Sequence, residues 1–273
     1  MFFADYHTHS SFSSDSDTPM EDNIRQAIAL GLSEIAVTDH IDLDYPDPDY
    51  PFWFDYEPYR AEVERLREKY RGKIIIRLGV EMGLQRHVYD QIRQMVADNE
   101  YDFIIGSSHC VDRCDLCMPD FFVGKTKEEA YERYFEDVLY HVEHCPVFQV
   151  YGHIDFISRY GGYADPTLTY DQYAPVLDRI LRGLIDQGKG LEVNTSGFRY
   201  GLNRTHPQFD ILKRYYDLGG RIVTVGSDAH RPEDIASHFE QAHTLLLAAG
   251  FQEVTRFCNQ QPLRGEKGCN GAV

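Results

Sequence analysis

The chain has 273 residues, of which 42% are hydrophobic and 26% are charged, as is ordinary for a water-soluble globular protein. Its formal net charge of −17 predicts no general affinity for nucleic acid or for an anionic membrane surface. The longest apolar run, Leu245–Phe251, is far shorter than the roughly 20 residues that a membrane-spanning helix needs. The first residues carry no basic region or cleavage site, so we expect a cytoplasmic protein whose six cysteines are reduced thiols.

Seven short apolar runs predict buried β-strands. In chain order they are Phe2–Tyr6, Glu34–Thr38, Ile74–Val80, Phe103–Ser107, Val147–Tyr151, Leu191–Asn194 and Ile222–Gly226. Most of the intervals between these runs show the pattern of amphipathic helices. The first helix is predicted to be capped by Thr18, with Glu21 completing a capping box, and to end at Gly31. Further helices are expected from Pro58, over 86–99, from Thr126 to near Pro146, and over 170–187, 207–218 and 232–249.

Strands and helices alternate along the whole chain, which predicts an α/β fold with parallel strands and helices outside them. No linker rich in proline, glycine or serine divides the sequence. We therefore expect one domain over residues 1–259 and a loosely ordered tail over residues 260–273. The alternation alone does not give the order of the strands, so a closed barrel and an open doubly wound sheet both fit it.

Histidine and acidic residues follow almost every predicted strand. They are His7 and His9, Asp39 and His40, Glu81, His109, His153, and Asp228 and His230. The carboxyl ends of parallel strands open on one face of the fold, where chemistry collects. Imidazole and carboxylate donors without thiolate suit zinc, manganese or iron, and there are more donors than one ion can use. The sequence therefore predicts a site for two or three metal ions, which suits the hydrolysis of phosphate esters or amides.

These motifs, taken as an ordered set, resemble those of the PHP (polymerase and histidinol phosphatase) family. The motifs that carry the resemblance are His7-Thr8-His9, Thr38-Asp39-His40, Glu81, His109, Tyr151–Asp155 and Gly226–His230. The segment Asn194–Gly197 before Arg199 is similar to the monofunctional histidinol-phosphatase branch of that family. The resemblance implies a distorted seven-stranded (β/α)7 barrel of the TIM type, in agreement with the seven predicted strands.

The resemblance also distributes the ligands among two to three divalent transition-metal ions. The first ion would be held by His7, His9, Glu81 and Asp228; the second by Glu81, His109 and His153; the third by Asp15, His40 and His230. Many relatives have histidine where this chain has Asp15, and Asp17 is the alternative ligand. Asp39 and Asp155 are expected to orient imidazole rings rather than to bind metal. No phosphate-binding loop or dinucleotide fingerprint occurs, so no organic cofactor is expected.

Two arginines follow the fifth and sixth predicted strands, on the same edge as the metal-type residues. The planar guanidinium group suits a pair of phosphate oxygens, and the resemblance implies that Arg159 and Arg199 hold the phosphate of a substrate. The small phosphorylated substrate favoured by the resemblance is L-histidinol phosphate, an intermediate of histidine biosynthesis. The sequence carries no signal for an oligomeric state.

The expected activity is therefore that of a metal-dependent phosphomonoesterase in which a metal-bridging hydroxide attacks phosphorus. The candidate catalytic residues are Glu81, which bridges two ions, and Asp15 or His40, which protonates the leaving alkoxide. The alternatives are a phosphoesterase acting on another small ester or a nucleotide, and a metal-holding regulatory domain without turnover. An amidohydrolase is disfavoured, because Glu81 stands where that superfamily commonly has a bridging lysine.

Overall fold

The computed structural model describes residues 4–263, and within them the chain forms twelve strands and eight α-helices. The strands are β1 (Ala4–Asp5), β2 (Glu34–Val37), β3 (His40–Asp42), β4 (Ile75–Gly83), β5 (Phe103–Ser107), β6 (Cys110–Val111), β7 (Cys114–Asp115), β8 (Val150–Tyr151), β9 (Gly190–Asn194), β10 (Val223–Gly226), β11 (Arg256–Cys258) and β12 (Gln261–Leu263). The helices are α1 (Met20–Ala29), α2 (Tyr56–Lys69), α3 (Tyr89–Asp98), α4 (Lys127–His144), α5 (Ala174–Asp186), α6 (Ser196–Arg199), α7 (Phe209–Asp217) and α8 (Phe239–Ala249).

Seven parallel strands of the described chain form a nearly closed barrel, in the order β1-β2-β4-β5-β8-β9-β10. Across the remaining seam, the backbone N–H of Tyr6 donates to the carbonyl oxygen of Val225 at 2.9 Å. Thr8 and Ala229 form a parallel bridge just beyond it. The prediction of a distorted seven-stranded (β/α)7 barrel is confirmed, and these contacts exclude the open sheet.

Strand β3 was not predicted. The chain leaves the barrel after β2 and pairs again with β4, so that His40 lies opposite Glu81 and Asp42 lies opposite Gly83. Three residues are too few to show the alternation by which a strand is recognised in a sequence. The pairing matters for the site, because it fixes His40 beside Glu81.

The hairpin of β11 and β12 packs against a small apolar cluster contributed by β1, β2, β5 and β8. The ring of Phe257 stacks on Phe103 with centroids 5.2 Å apart, and its backbone N–H donates to the Tyr6 hydroxyl at 2.8 Å. Gln261–Leu263, at the start of the segment expected to be a loose tail, therefore forms a paired strand. Residues 264–273 lie outside the described residues, and the division into a domain and a tail stays a prediction.

The starts of α4 and α1 compare differently with the prediction. The helix predicted from Thr126 does start there, and Thr126 caps α4, because its hydroxyl accepts from the backbone N–H of Glu129 while the Glu129 carboxylate accepts from the N–H of Thr126. The prediction that Thr18 caps α1 is wrong. Its hydroxyl donates instead to the carbonyl oxygen of His230 at 2.9 Å, and α1 begins at Met20 without a side-chain cap.

No described helix is both long enough and apolar enough to cross a membrane.

Among residues 4–263, the prediction that every cysteine is a reduced thiol is wrong at Cys258. Cys110, Cys114, Cys117 and Cys145 are free, whereas Cys258 on β11 is disulfide-bonded. A disulfide depends on how closely the fold brings two sulfur atoms together, and the spacing of cysteines in the sequence does not give that distance.

The capping box of α4 can be tested by a single replacement. Replacing Thr126 with alanine removes the acceptor for the Glu129 N–H, so Thr126→Ala should cost about 1 kcal/mol of stability. For a protein of this size the melting temperature should fall by roughly 2–4 °C in differential scanning calorimetry. The control is Thr244→Ala on the exposed face of α8, where alanine is the better helix former and no decrease is expected. Equal melting temperatures for Thr126→Ala and wild type would contradict the assigned cap.

Candidate metal and phosphate site

The predicted metal ligands converge at the carboxyl end of the barrel strands. Glu81, on β4, lies at the centre of the cluster and is fully buried. Its Oε1 atom lies 2.9 Å from Nε2 of His153 and 3.3 Å from Nε2 of His109. Its Oε2 atom faces ring nitrogens of His7 at 3.0 Å, His40 at 3.1 Å and His9 at 3.5 Å. One carboxylate is thus shared between two groups of imidazoles, as a bridging ligand requires.

Electrostatics keep Glu81 ionised. Burial alone would raise its pKa, but the positive charges of His7, His40 and His109 outweigh burial and hold the pKa well below its usual range. The hydroxyl of Ser107 also donates to Oε1 at 2.6 Å. Glu81 is therefore a carboxylate that is available to cations on both of its oxygens.

Asp228 and His9 complete the group around Oε2 of Glu81. Oδ1 of Asp228 lies 3.4 Å from Nε2 of His9 and 3.8 Å from Nε2 of His7. Burial and the charges of His40 and His230 lower the pKa of His9 to about 3, so its ring is neutral. A neutral imidazole facing two carboxylates is the protonation state that a metal ligand needs.

The third predicted group forms around Asp15. Its Oδ2 atom lies 3.0 Å from Nε2 of His230 and 3.7 Å from Nε2 of His40. The ring of His9 stacks between those of His40 and His230, with centroid distances of 4.2 Å on both sides. Asp15 therefore occupies the position expected of it, and no contact of Asp17 with these histidines occurs in the described part of the chain.

The donor set fits metal ions. Three ring nitrogens of the cluster are buried and have no hydrogen-bond partner among residues 4–263: Nε2 of His9, Nδ1 of His40 and Nδ1 of His153. Such orphaned polar atoms are costly unless something absent from the protein chain binds them. Residues 4–263 contain five groups of three donor residues in which the ligand atoms of each group lie within 4.8 Å of one another, among them His7, His9 and Glu81; Glu81, His109 and His153; and His9, His40 and His230. These groups are the candidate metal sites.

Two carboxylates that were not predicted from the sequence orient the imidazoles. Oε1 of Glu192 lies 2.5 Å from Nδ1 of His7, and Oδ1 of Asp42 lies 2.8 Å from Nδ1 of His109. Each leaves the Nε2 atom of its histidine pointing at Glu81. The sequence signal for Glu192 was a charged residue inside the apolar strand β9. For Asp42 the only signal was its spacing of two residues from His40.

The two carboxylates that were expected to orient imidazole rings, Asp39 and Asp155, have different partners. Asp39 accepts from the backbone and hydroxyl of Ser10 and from the hydroxyl of Ser13, and it reaches His9 only through Ser13. Asp155 does accept from an imidazole, but the ring belongs to His206, which is not one of the predicted ligands. The expectation is therefore confirmed for Asp155, which orients the imidazole of His206, whereas Asp39 contacts His9 only indirectly, through the Ser13 hydroxyl.

An open cavity of about 120 Å³ lies above the cluster. Its wall combines donors of the cluster with aromatic side chains and one arginine. The lining residues are Asp15, His40, Asp42, Tyr45, Phe52, His109, Cys117, His153, Phe156, Arg159, Tyr160, Tyr200, Asp228 and His230. The cavity can therefore hold a small ligand that contacts the metal site, a guanidinium group and aromatic rings together.

The two predicted phosphate-binding arginines occupy different places. Arg159 lines the cavity, and its Nη2 atom lies 3.6 Å from Oδ2 of Asp228. Arg199 does not line it. The guanidinium of Arg199 donates to the carbonyl oxygens of Ser227 at 2.7 Å and Asp228 at 2.6 Å, and to the hydroxyl of Ser237 at 3.0 Å. These contacts support a role for Arg199 in holding the loop that carries Asp228, and its contact with phosphate stays a prediction.

Comparison with known proteins agrees with this site. The family model of the PHP domain matches residues 5–196 of the chain. The chain belongs to the PHP family. The match begins in β1 and ends in α6, so it includes all but one of the barrel strands.

Relatives within the PHP family extend the match to nearly the full length. A histidinol-phosphatase of Lactococcus lactis is 33% identical over 266 residues, which cover 96% of this chain and 97% of the relative. A probable histidinol-phosphatase of Clostridium acetobutylicum is 34% identical over 269 residues, which cover 96% of this chain and 96% of the relative. The crystal structure of the L. lactis histidinol phosphate phosphatase, complexed with zinc, L-histidinol and phosphate, superposes with a TM-score of 0.90 over 96% of this chain and 98% of that one.

The bridging position of Glu81 makes a prediction about metal content. Protein purified without chelator should contain two to three transition-metal ions per chain by inductively coupled plasma mass spectrometry. Glu81→Ala should lose at least two of them, because both of the groups that share its oxygens lose a ligand. The control is Glu143→Ala on the exposed face of α4, which removes a carboxylate far from the cluster. Full metal content in Glu81→Ala would show that Glu81 is not the bridge.

Proposed function

We propose that this protein is a metal-dependent phosphomonoesterase that hydrolyses L-histidinol phosphate to L-histidinol and phosphate. The observation that carries the proposal is the cavity in which a cluster of metal ligands and the buried guanidinium of Arg159 face the same space. A phosphate group needs both kinds of partner, because its charge is spread over several oxygens. The full-length similarity to a histidinol phosphate phosphatase bound to zinc, L-histidinol and phosphate supports the substrate.

Divalent transition-metal ions are the cofactors that this set of imidazole and carboxylate donors fits. The proposed ligands are His7, His9, Glu81 and Asp228 for one ion, Glu81, His109 and His153 for a second, and Asp15, His40 and His230 for a third. When bound, such ions lower the pKa of a water molecule and neutralise charge on phosphate oxygens. Zinc, manganese and iron all suit this donor set, and no organic cofactor is part of the proposal.

The side chains around the cavity have separate tasks in this reaction. Arg159 holds phosphate oxygens and so fixes phosphorus next to the metal ligands. The proton for the leaving alkoxide comes from Asp15 or His40, whichever does not bind the third ion at that step; both line the cavity, and they lie 3.7 Å apart. The aromatic rings of Tyr45 and Phe52 form the wall beside His40 and give the planar imidazole of the substrate an apolar surface.

We also propose a cytoplasmic location. Four of the five cysteines among residues 4–263 are free thiols, which is the usual state in a reducing compartment. Small intermediates of amino-acid biosynthesis are made and consumed in that compartment.

The direct test of the function is a panel of small phosphomonoesters assayed by release of inorganic phosphate. L-histidinol phosphate should have the highest kcat/KM, because its imidazole and phosphate fit the aromatic wall and Arg159 together. Equal kcat/KM values across sugar phosphates, nucleotides and L-histidinol phosphate would reject the substrate and leave a general phosphatase. No turnover of any ester by protein loaded with zinc, manganese or iron would instead favour a metal-holding regulatory domain.

The two arginines should respond differently to replacement. Arg159→Met should keep its metal but lose about 10²-fold in kcat/KM, with KM clearly raised, because a charged contact in a desolvated site is removed. Arg199→Met should lower the metal content as well, because the Asp228 loop loses its anchor. Arg179→Met, an exposed position on α5, is the control and should leave both quantities unchanged.

A different result would contradict the role assigned to each arginine. An Arg159→Met enzyme with wild-type kcat/KM would show that the metal ions alone hold the phosphate. An Arg199→Met enzyme with full metal and a raised KM would mean that Arg199 contacts the phosphate rather than the loop.

A further inference from the structure

Arg159 is held by hydrogen bonds on one edge of its guanidinium group. Its Nε atom donates to Nε2 of His206 at 3.0 Å, and its Nη2 atom donates to the hydroxyl of Ser196. No hydrogen bond from its Nη1 atom occurs among the described residues, and the side chain is only 4% exposed. The N–H groups of Nη1 are therefore the ones left for a ligand in the cavity.

Two aromatic rings lie against the guanidinium of Arg159. The guanidinium carbon lies 4.3 Å from the centroid of the Tyr200 ring and 4.8 Å from that of Phe156. Such stacking limits movement out of the guanidinium plane, whereas rotation within the plane is limited by the hydrogen bonds. The hydrogen bonds to His206 and Ser196 thus fix the direction in which the N–H groups of Nη1 point.

The contact with His206 requires one particular form of that imidazole. The Nε atom of arginine can only donate, so Nε2 of His206 must accept and its proton must sit on Nδ1. Nδ1 in turn donates to Oδ1 of Asp155, and both residues are fully buried. Burial lowers the pKa of His206 to about 4 against the opposing charge of Asp155, so the ring stays neutral beside the guanidinium.

Hydrogen bonds also hold Asp155 and His206 in place. Asp155 accepts from Nη1 of Arg204 at 2.7 Å and from the backbone N–H of Gln208 at 3.2 Å. The backbone of His206 exchanges two hydrogen bonds with that of Asn194 at the end of β9, at 2.7 and 2.8 Å. The position of the imidazole is therefore set by the same strand end that faces the metal ligands.

We propose that His206, oriented by Asp155, is a positioning residue that aims Arg159 at the phosphate of the substrate. The proposal rests on the proposed function, because it requires Arg159 to contact a phosphate group. The physical reason is that the carboxylate of Asp228 competes with the phosphate for the guanidinium of Arg159. Oδ2 of Asp228 lies 3.6 Å from Nη2 of Arg159, and an arginine without its acceptor would turn to pair with that carboxylate. Such a pair would withdraw the guanidinium from the phosphate and draw Asp228 away from the metal ligands.

The test compares two replacements of His206 in the metal-loaded protein. His206→Leu removes the acceptor, and the inhibition constant of inorganic phosphate and KM for L-histidinol phosphate should both rise about tenfold or more. His206→Gln keeps an acceptor for Arg159 and a donor for Asp155, so it should restore most of the phosphate affinity. If His206→Leu does not fold, His206→Met makes the same comparison with an unbranched side chain.

Two further proteins separate positioning from general stability. His141→Leu is the matched control, because His141 is also fully buried and bonded to an aspartate, Asp137 at 2.9 Å, but does not line the cavity. It should lower the melting temperature without changing phosphate inhibition. In the double variant Arg159→Met/His206→Leu, the second change should add little to the first, because both remove the same contact.

Either of two results would overturn the proposal. One is a folded, metal-replete His206→Leu protein with wild-type phosphate inhibition, and the other is a fully additive double variant. Inorganic phosphate binding, measured by calorimetry, keeps this test apart from that of the substrate. If wild type binds phosphate but does not hydrolyse L-histidinol phosphate, the proposed function fails while the role of His206 is still measured.

Discussion

The structure depends on the negative charge of Glu81, which is buried at the carboxyl end of the barrel where water cannot solvate it. A buried carboxylate is costly unless cations or several donors face it. Here ring nitrogens face both of its oxygens, His109 and His153 on one side and His7 and His40 on the other. Imidazoles compensate such a charge fully only when they are protonated or when they and the carboxylate share metal ions. The orphaned ring nitrogens of the cluster favour the metal ions.

The residues that orient these imidazoles also lie on paired strands. Asp42 on β3 holds His109 and Glu192 on β9 holds His7, so both orienting groups lie on strands of the sheet that carries Glu81. The packing around Asp42 leaves no room for a side chain at position 83. A Cβ atom on Gly83 would lie 1.8 Å from the carboxylate of Asp42. Glycine at this position is thus part of the site, because it lets Asp42 reach His109.

The sequence predicted the barrel strands and the convergence of the candidate ligands well, because each ligand follows an apolar run and parallel strands bring such ends together. It did not predict the short strand β3 or the pairing of Glu192 with His7, since both depend on register across the sheet. The sequence also did not predict that Arg159 and Arg199 have different surroundings. Both follow strands on the same edge, but only the folded chain shows that Arg199 is tied to the backbone of the Asp228 loop.

Sharing of Glu81 between two metal ions can be observed by anomalous scattering from crystals of zinc-loaded protein. Two anomalous peaks are expected beside the Glu81 carboxylate, each about 2.0–2.2 Å from one of its oxygens and next to the histidines that face that oxygen. A single peak bound by other residues, with Glu81 in contact with protein groups alone, would contradict the bridging role.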